Sequence, residues 1–346
     1  VLKVNFTNNT RWKFVGEPIL KEEVRQYLRG KYKIDIRVNH KIPDVVWCFF
    51  GTKKGFSHIS LERQLSLLKG KPLIYWENNP ASWGVRDIEV FKYSNLKIFL
   101  KQQSMLSSSE LYDIPFYNRF HFDLLLPYFR GLNLTGEQRI CQRFDSKTFS
   151  KITILFNNVL HGKIHKYLVS PLFDSRFSKK KKYSLFWSGG IHNRGSDVWN
   201  KLYYLYRKSV YDRMVGLKLK DKFLTKKVLG YREYSEATLS SKIVISPWGF
   251  GEICWRDFEA MCLGAVVIKP DMGHLVTYPD VYVPYKTYIP CSYDCSDMKE
   301  QVNYVLDNWD NLEELRYNAF QTIKKAWEPE NIAEKIHIML KVGKLV

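Results

Sequence analysis

The sequence predicts an α/β chain built from two doubly wound parallel sheets. Three observations carry that expectation. The 346 residues exceed a typical single core and suit two domains of roughly 150–180 residues each. Short apolar runs alternate with stretches of helical spacing, and the rhythm restarts past the middle of the chain. Some runs, VVWCFF at 45–50 above all, are apolar at every position, the mark of a strand covered on both faces.

Taken in order, Leu2–Phe6 reads as a strand. Leu20, Val24, Tyr27 and Leu28 recur at helical spacing, with Gly30 as the expected stop. Tyr32–Val38 and Val45–Phe50 follow as strands. The loop GTKKGFSH (51–58) and a helix over Ile59–Leu68 lead to strands at Pro72–Trp76 and Leu96–Leu100. Residues 103–150 are less regular. Four consecutive lysines (179–182) resist burial, so DSRFSKKKKY is read as a solvated linker, with an import or nucleic-acid signal as the sharper alternative. The second half restarts with a strand at Ser184–Trp187, the turn Ser188-Gly189-Gly190 and a helix over Asp197–Tyr206. Residues 242–269 form a compact unit: strand KIVIS, loop PWGFG, a helix starting at Glu252, Gly264 as its stop, then strand AVVIK. Three helical stretches near 297–309, 312–326 and 331–341 close the chain. The expected division is 1–175, 176–330 and a C-terminal helix, 331–346, packing back on the first domain.

Composition narrows the class. Lys+Arg is 54 and Asp+Glu is 35, a net charge of +19, with 45% hydrophobic residues. That apolar content excludes a disordered basic tail, and the absence of any run of 18 apolar residues excludes a spanning helix. No leader-like apolar segment opens the chain, so any signal or anchor is expected to have been removed or never present. Partners are expected to be anionic: nucleic acid, nucleotide, membrane surface or acidic glycan. Cys48, Cys141, Cys254, Cys262, Cys291 and Cys295 lack zinc-finger spacing and read as buried free thiols.

The densest chemistry lies in Ile243–Met272. A buried strand ends at Ser246; Gly249 and Gly251 let the backbone turn and approach a ligand. The helix that follows aims free N–H groups at the same place, which favours phosphate. Arg256 can fork two phosphate oxygens. Glu259, three residues on, shares its face, and a carboxylate there can accept from both hydroxyls of a ribose. Lys269 ends the next strand at the same edge. An ordinary i,i+3 salt bridge on a solvated face is the alternative for Arg256 and Glu259, and a first-turn acid complementing the helix dipole is that for Glu252.

The segment SPWGFGEICWRDFEAMCLGAVVIKPD (246–271) resembles the C-terminal motif of exostosin-like glycosyltransferases and related GT-B enzymes. The shared features are Ser246-Pro247, Gly249-Phe250-Gly251-Glu252, Arg256-x-x-Glu259 and Leu263-Gly264-Ala265. The resemblance implies the GT-B fold, two Rossmann-like doubly wound domains with a cleft between them, the first taking the acceptor and the second the nucleotide sugar. It implies that Glu259 binds the donor ribose, and that Arg256 and the Gly249–Glu252 loop hold the diphosphate. Arg194 is a further diphosphate candidate, and His274 is read as reaching the donor sugar or, in the ordinary alternative, as structural. Glu252 and Glu259 are seven apart, where retaining relatives often show eight, so inversion is expected. Inversion needs a base past a strand end of the first domain: Glu77 first, His58 second, with Glu110 and Asp113 further back. No Asp-x-Asp occurs, so no essential metal and no cofactor are expected; helix dipoles and basic side chains would neutralise the leaving diphosphate. The expected partners are a nucleotide sugar and a glycan or glycoconjugate acceptor, with an anionic acceptor or a peripheral membrane surface for the surplus charge. Nucleic acid is not expected, for no RNP pattern, zinc finger or helix-turn-helix appears; a basic nucleic-acid-binding protein and a noncatalytic glycan-binding module are the competing classes. The sequence leaves the compartment open between cytoplasm and Golgi lumen.

Overall fold

The computed structural model describes residues 1–8, 18–38, 43–50, 70–77, 88–101, 103–105, 120–139, 144–157, 162–192, 195–249 and 251–346. Its strands are β1 (Leu2–Asn8), β2 (Ile34–Arg37), β3 (Val45–Phe50), β4 (Leu73–Glu77), β5 (Leu96–Lys101), β6 (Gln103–Met105), β7 (Ile152–Ile154), β8 (Tyr183–Ser188), β9 (Lys222–Thr225), β10 (Ser241–Ile245), β11 (Val266–Pro270), β12 (Leu275–Thr277) and β13 (Ile289–Cys291). Its helices are α1 (Glu22–Tyr32), α2 (Phe120–Leu125), α3 (Ser146–Phe149), α4 (Gly162–Val169), α5 (Val198–Gly216), α6 (Tyr231–Leu239), α7 (Trp255–Cys262), α8 (Met298–Asp307), α9 (Glu313–Ala326) and α10 (Pro329–Val342).

Two parallel sheets result, ordered β2-β1-β3-β4-β5-β7 and β13-β11-β10-β8-β9. This is the arrangement of two doubly wound parallel sheets expected from the sequence. The reason the first sheet forms is visible in its side chains. In β3, Val45 and Trp47 join one apolar cluster while Val46 and Cys48 join another; in β4, Ile74 and Trp76 face the first and Leu73 and Tyr75 the second. Alternate residues face opposite sides of a sheet, so a strand covered on both sides must be apolar throughout.

Among the described residues several contacts join the halves. Strands β6 and β12 pair antiparallel, Leu275 opposite Met105 and Thr277 opposite Gln103. Asn157 donates its backbone N–H to Tyr278 O at 2.9 Å and its side-chain amide to Pro279 O at 3.2 Å. Helix α10 lies on α1: His337 stacks on Tyr32 with ring centroids 4.2 Å apart, and Lys31 meets Glu330 at 3.1 Å.

Several local expectations shift. Helix α1 runs through Gly30 to Tyr32, whose ring packs on α10, and Lys33 takes the left-handed position at φ 59°. The 103–150 stretch includes the short helices α2 and α3. The loop 51–58 and the helix expected over 59–68 lie outside the described residues. The lysine run is not a free linker. Lys181 is partly buried and donates to Arg176 O at 3.0 Å and Leu239 O at 2.9 Å, while Lys179 meets Glu236 at 2.5 Å. Burial, with Arg316 and Lys179 nearby, pushes the Lys181 ammonium down to about 7. A long stem lets a lysine bury its methylenes and still bring its charge to carbonyl oxygens. Of the described cysteines, Cys48, Cys262, Cys291 and Cys295 are buried, Cys254 is partly so, and all five are free thiols.

Candidate functional site

A parallel sheet opens a crevice where neighbouring strands connect in opposite directions. In the second sheet β9 lies on one side of β8 and β10 on the other, so the crevice falls at the carboxyl ends of β8 and β10. A cavity of about 400 Å³ occurs there. Its lining joins the turn after β8 (Ser188, Gly189, Gly190), Gly249 after β10, Arg256 and Glu259 from α7, Arg207 from α5 and Tyr234 from α6.

Helix α7 starts at Trp255, not at Glu252. Asp257 closes its first turn by accepting from the Cys254 N–H at 3.0 Å, which leaves 247–249 and 251–254 outside the helix. Arg256 is therefore in the first turn, and Glu259 follows on the same face. That face is half-buried and lines the cavity rather than facing open solvent. Arg256 gives Nη2 to Ser188 O at 3.2 Å, and its Nε has no partner. Arg207 gives Nε to Gly190 O at 3.1 Å and lies over the rings of Trp187 and Tyr203, 5.4 Å from each centroid. The two guanidiniums converge on Gly189: a Cβ there would stand 2.5 Å from Arg207 Nη2 and 3.3 Å from Arg256 Nη2. Burial and the Arg256 charge both push Arg207 below the usual guanidinium range. Arg256 itself is held above the usual range, because Tyr234, Cys254, Asp257 and Glu259 outweigh its burial, so the cost of the pair falls on Arg207 until an anion arrives. Burial raises Glu259, with Arg256 and Lys163 opposing that shift.

A second polar group lies where the halves meet. Glu252 and His121, the latter from α2, are both fully buried, with Nδ1 and Oε1 3.7 Å apart. The Trp248 ring stands between His121 and His274, its centroid 5.7 and 5.8 Å from theirs, both edge-on. Burial lowers His274; Glu252 pulls it up and His121 down.

The other sequence candidates scatter. Lys269 does not line the cavity: it is fully buried, 3.1 Å from Asp257 and 3.4 Å from Ser246 O, and Asp257 also accepts from Ser246 Oγ and Tyr282 Oη. That network braces the loop and α7 from behind. Gly251 is buried and accepts from Gly249 N–H at 3.0 Å, closing the loop. Glu77 ends β4, buried, 3.4 Å from Lys101 on β5. His58, Glu110, Asp113 and Arg194 lie outside the described residues. Sequence reasoning missed Arg207, Tyr234 and His121. Only Arg207 left a local signal, its i,i+4 spacing from Tyr203 on α5.

No family model matches the chain, and no curated protein does. Among solved structures it is similar to Anabaena HepE bound to UDP-glucose (11% identity, 99% of this chain and 100% of that one, TM-score 0.48). It is also similar to a glycosyltransferase of Rickettsia africae (9%, 98% and 97%, TM-score 0.49) and to TarM (13%, 85% and 54%, TM-score 0.46). Likenesses this distant decide nothing about the site, which rests on its own residues. Among the described residues no group of three or more His, Cys, Asp or Glu is placed to hold a metal, and no helix is long and apolar enough to cross a membrane.

Proposed function

We propose that the chain is a glycosyltransferase that moves a sugar from a nucleotide-diphosphate donor to a glycan hydroxyl. The observation that carries this reading is the convergence of Arg207 and Arg256 on Gly189, beside Glu259, at the switch point of the second sheet. A diphosphate supplies the anion that Arg207 lacks and a second partner for Arg256, and a ribose supplies the two hydroxyls that a single carboxylate can accept from. The cavity's size suits a nucleoside diphosphate.

In this reading the donor diphosphate rests on Arg207, Arg256 and the Gly249–Glu252 loop, with Arg194 as a further contact and Lys269 bracing from behind. As the glycosidic bond breaks, charge develops on the leaving diphosphate, and fixed guanidiniums stabilise it without reorganising. That is how the transfer would proceed without an essential metal. Glu252, His121 and His274 are the polar groups set for the transferred sugar. Transfer inverts the anomeric centre, and the acceptor hydroxyl loses its proton to a base of the first half: Glu77, with His58 second. The surplus positive charge suits an anionic acceptor or an anionic membrane surface.

The test is a thermal-shift screen against UDP, GDP, ADP and CDP, followed by transfer assays with the sugars of whichever binds. Stabilisation by one base is expected. Glu259→Ala and Arg256→Ala should abolish both the shift and transfer while remaining folded, and Glu77→Gln should keep the shift and lose turnover by roughly a hundredfold or more. Proton NMR of the product reads the anomer. A protein that ignores every diphosphate and instead binds nucleic acid with steep salt dependence would overturn the proposal.

A further inference from the structure

Tyr234 belongs to no motif, yet it occupies a telling place. It lies one turn into α6 and lines the cavity across from α7. Its ring is fixed edge-on to Phe186 of β8, with centroids 5.5 Å apart. Its hydroxyl is buried beside Glu259, close enough for each to shift the other's ionisation, but the pair falls short of a well-formed hydrogen bond and the hydroxyl keeps its donor for a better acceptor. Its neighbours differ. Tyr167, also near Glu259, satisfies its hydroxyl on Ser235 Oγ at 3.0 Å. Burial, then the Glu259 charge, hold the Tyr234 phenol well above its ordinary range, so it is a donor at any working pH. A buried hydroxyl without a partner costs free energy. Here it is kept, on a fixed ring, within the same cavity as the orphaned Arg256 Nε.

We propose that Tyr234 is a specificity-determining residue that reads the ribose of the donor. One ribose hydroxyl donates a hydrogen bond to Glu259 and accepts one from Tyr234 Oη, so that the diol is held from both sides. The inference rests on the donor-site reading above and deepens it. A site that pairs a ligand hydroxyl with buried polar groups rejects the analogue lacking that hydroxyl, because those groups are then left unpaired.

The experiment is calorimetry with UDP, GDP, ADP and CDP, and with the 2′-deoxy and 3′-deoxy forms of whichever binds. Wild-type protein should favour the ribonucleotide over at least one deoxy form by roughly tenfold or more. Tyr234→Phe should bring that preference to within about threefold, chiefly by weakening the ribonucleotide. It should leave the melting temperature of the unliganded protein close to wild type, since the hydroxyl has no well-formed hydrogen bond to lose. Arg256→Lys should weaken ribo and deoxy forms alike. If Tyr234→Phe weakens both forms equally, leaves the preference intact, or unfolds the protein, Tyr234 does not read ribose. Equal wild-type affinity for ribo and deoxy forms overturns the inference as well. If no diphosphate binds at all, the donor-site reading fails first and this inference with it.

Discussion

Arg207 shows how a residue acquires a role from its neighbours. Its guanidinium lies over two aromatic rings and its Nε is held by a carbonyl, which leaves the terminal nitrogens for the cavity. A planar fork matches two phosphate oxygens and an ammonium does not. Arg207→Ala should therefore weaken nucleoside diphosphate binding by roughly ten- to a hundredfold, the value of charge-assisted hydrogen bonds, and Arg207→Lys should recover little of it. Isothermal titration against the diphosphate found by screening reads both; full rescue by lysine would mean that Arg207 acts as a bare charge. Lys269 shows the converse. Its position at a strand end suggested ligand binding, but Asp257 lies 3.1 Å away inside the core, and a buried charge goes to its nearest counter-charge. A sequence displays that a lysine ends a strand; it does not display which side of the loop its ammonium lies on.

At the scale of elements, two glycines separate folding from function. Gly264 ends α7 at φ 73°, and a Cβ there would stand 2.5 Å from Arg176 O, a backbone atom that cannot step aside. Gly264→Ala should cost about 1–3 kcal/mol and lower the melting temperature by several degrees. At Gly189 a Cβ would meet Arg207 Nη2 at 2.5 Å, the Trp187 ring at 3.1 Å and Arg256 Nη2 at 3.3 Å, side-chain atoms rather than backbone. Gly189→Ala should therefore melt within about two degrees of wild type but lose diphosphate binding, because the guanidiniums are displaced from their point of convergence. Melting curves with and without the diphosphate separate the two effects; equal loss of stability in both variants would contradict this assignment. The stop at Gly264 was legible in the sequence because chain termination is local. The start of α7 was not: the Asp257 cap reaches back to Cys254, so the first turn begins three residues after the predicted one.

For the whole molecule, the last helix completes the first half. Ile336 and Leu340 of α10 are fully buried, as are Val24 and Leu28 of α1, which α10 covers. The first sheet's layer is thus unfinished until the end of the chain is made. A chain ending at residue 328 should unfold in two steps, the first half melting well below the second, while the second half still binds the diphosphate. Calorimetric scans with and without nucleotide check this. A single transition at the wild-type temperature would show that α10 adds nothing to the first half.

What the sequence determined by itself follows from periodicity and local sterics. Runs such as VVWCFF could only be strands covered on both faces, Gly264 could end a helix, and Arg256 and Glu259 had to share a face, since three residues make nearly one turn. The net charge of +19 likewise stood without coordinates as a statement about partners. Only the tertiary structure decided which charges converge. Arg207, Tyr234 and Arg256 come from three helices, and they meet because β8 lies between β9 and β10. His121 reaches Glu252 only because α2 of the first half packs against the loop of the second. Strand order is set by the packing of distant segments, and no spacing along the chain records it.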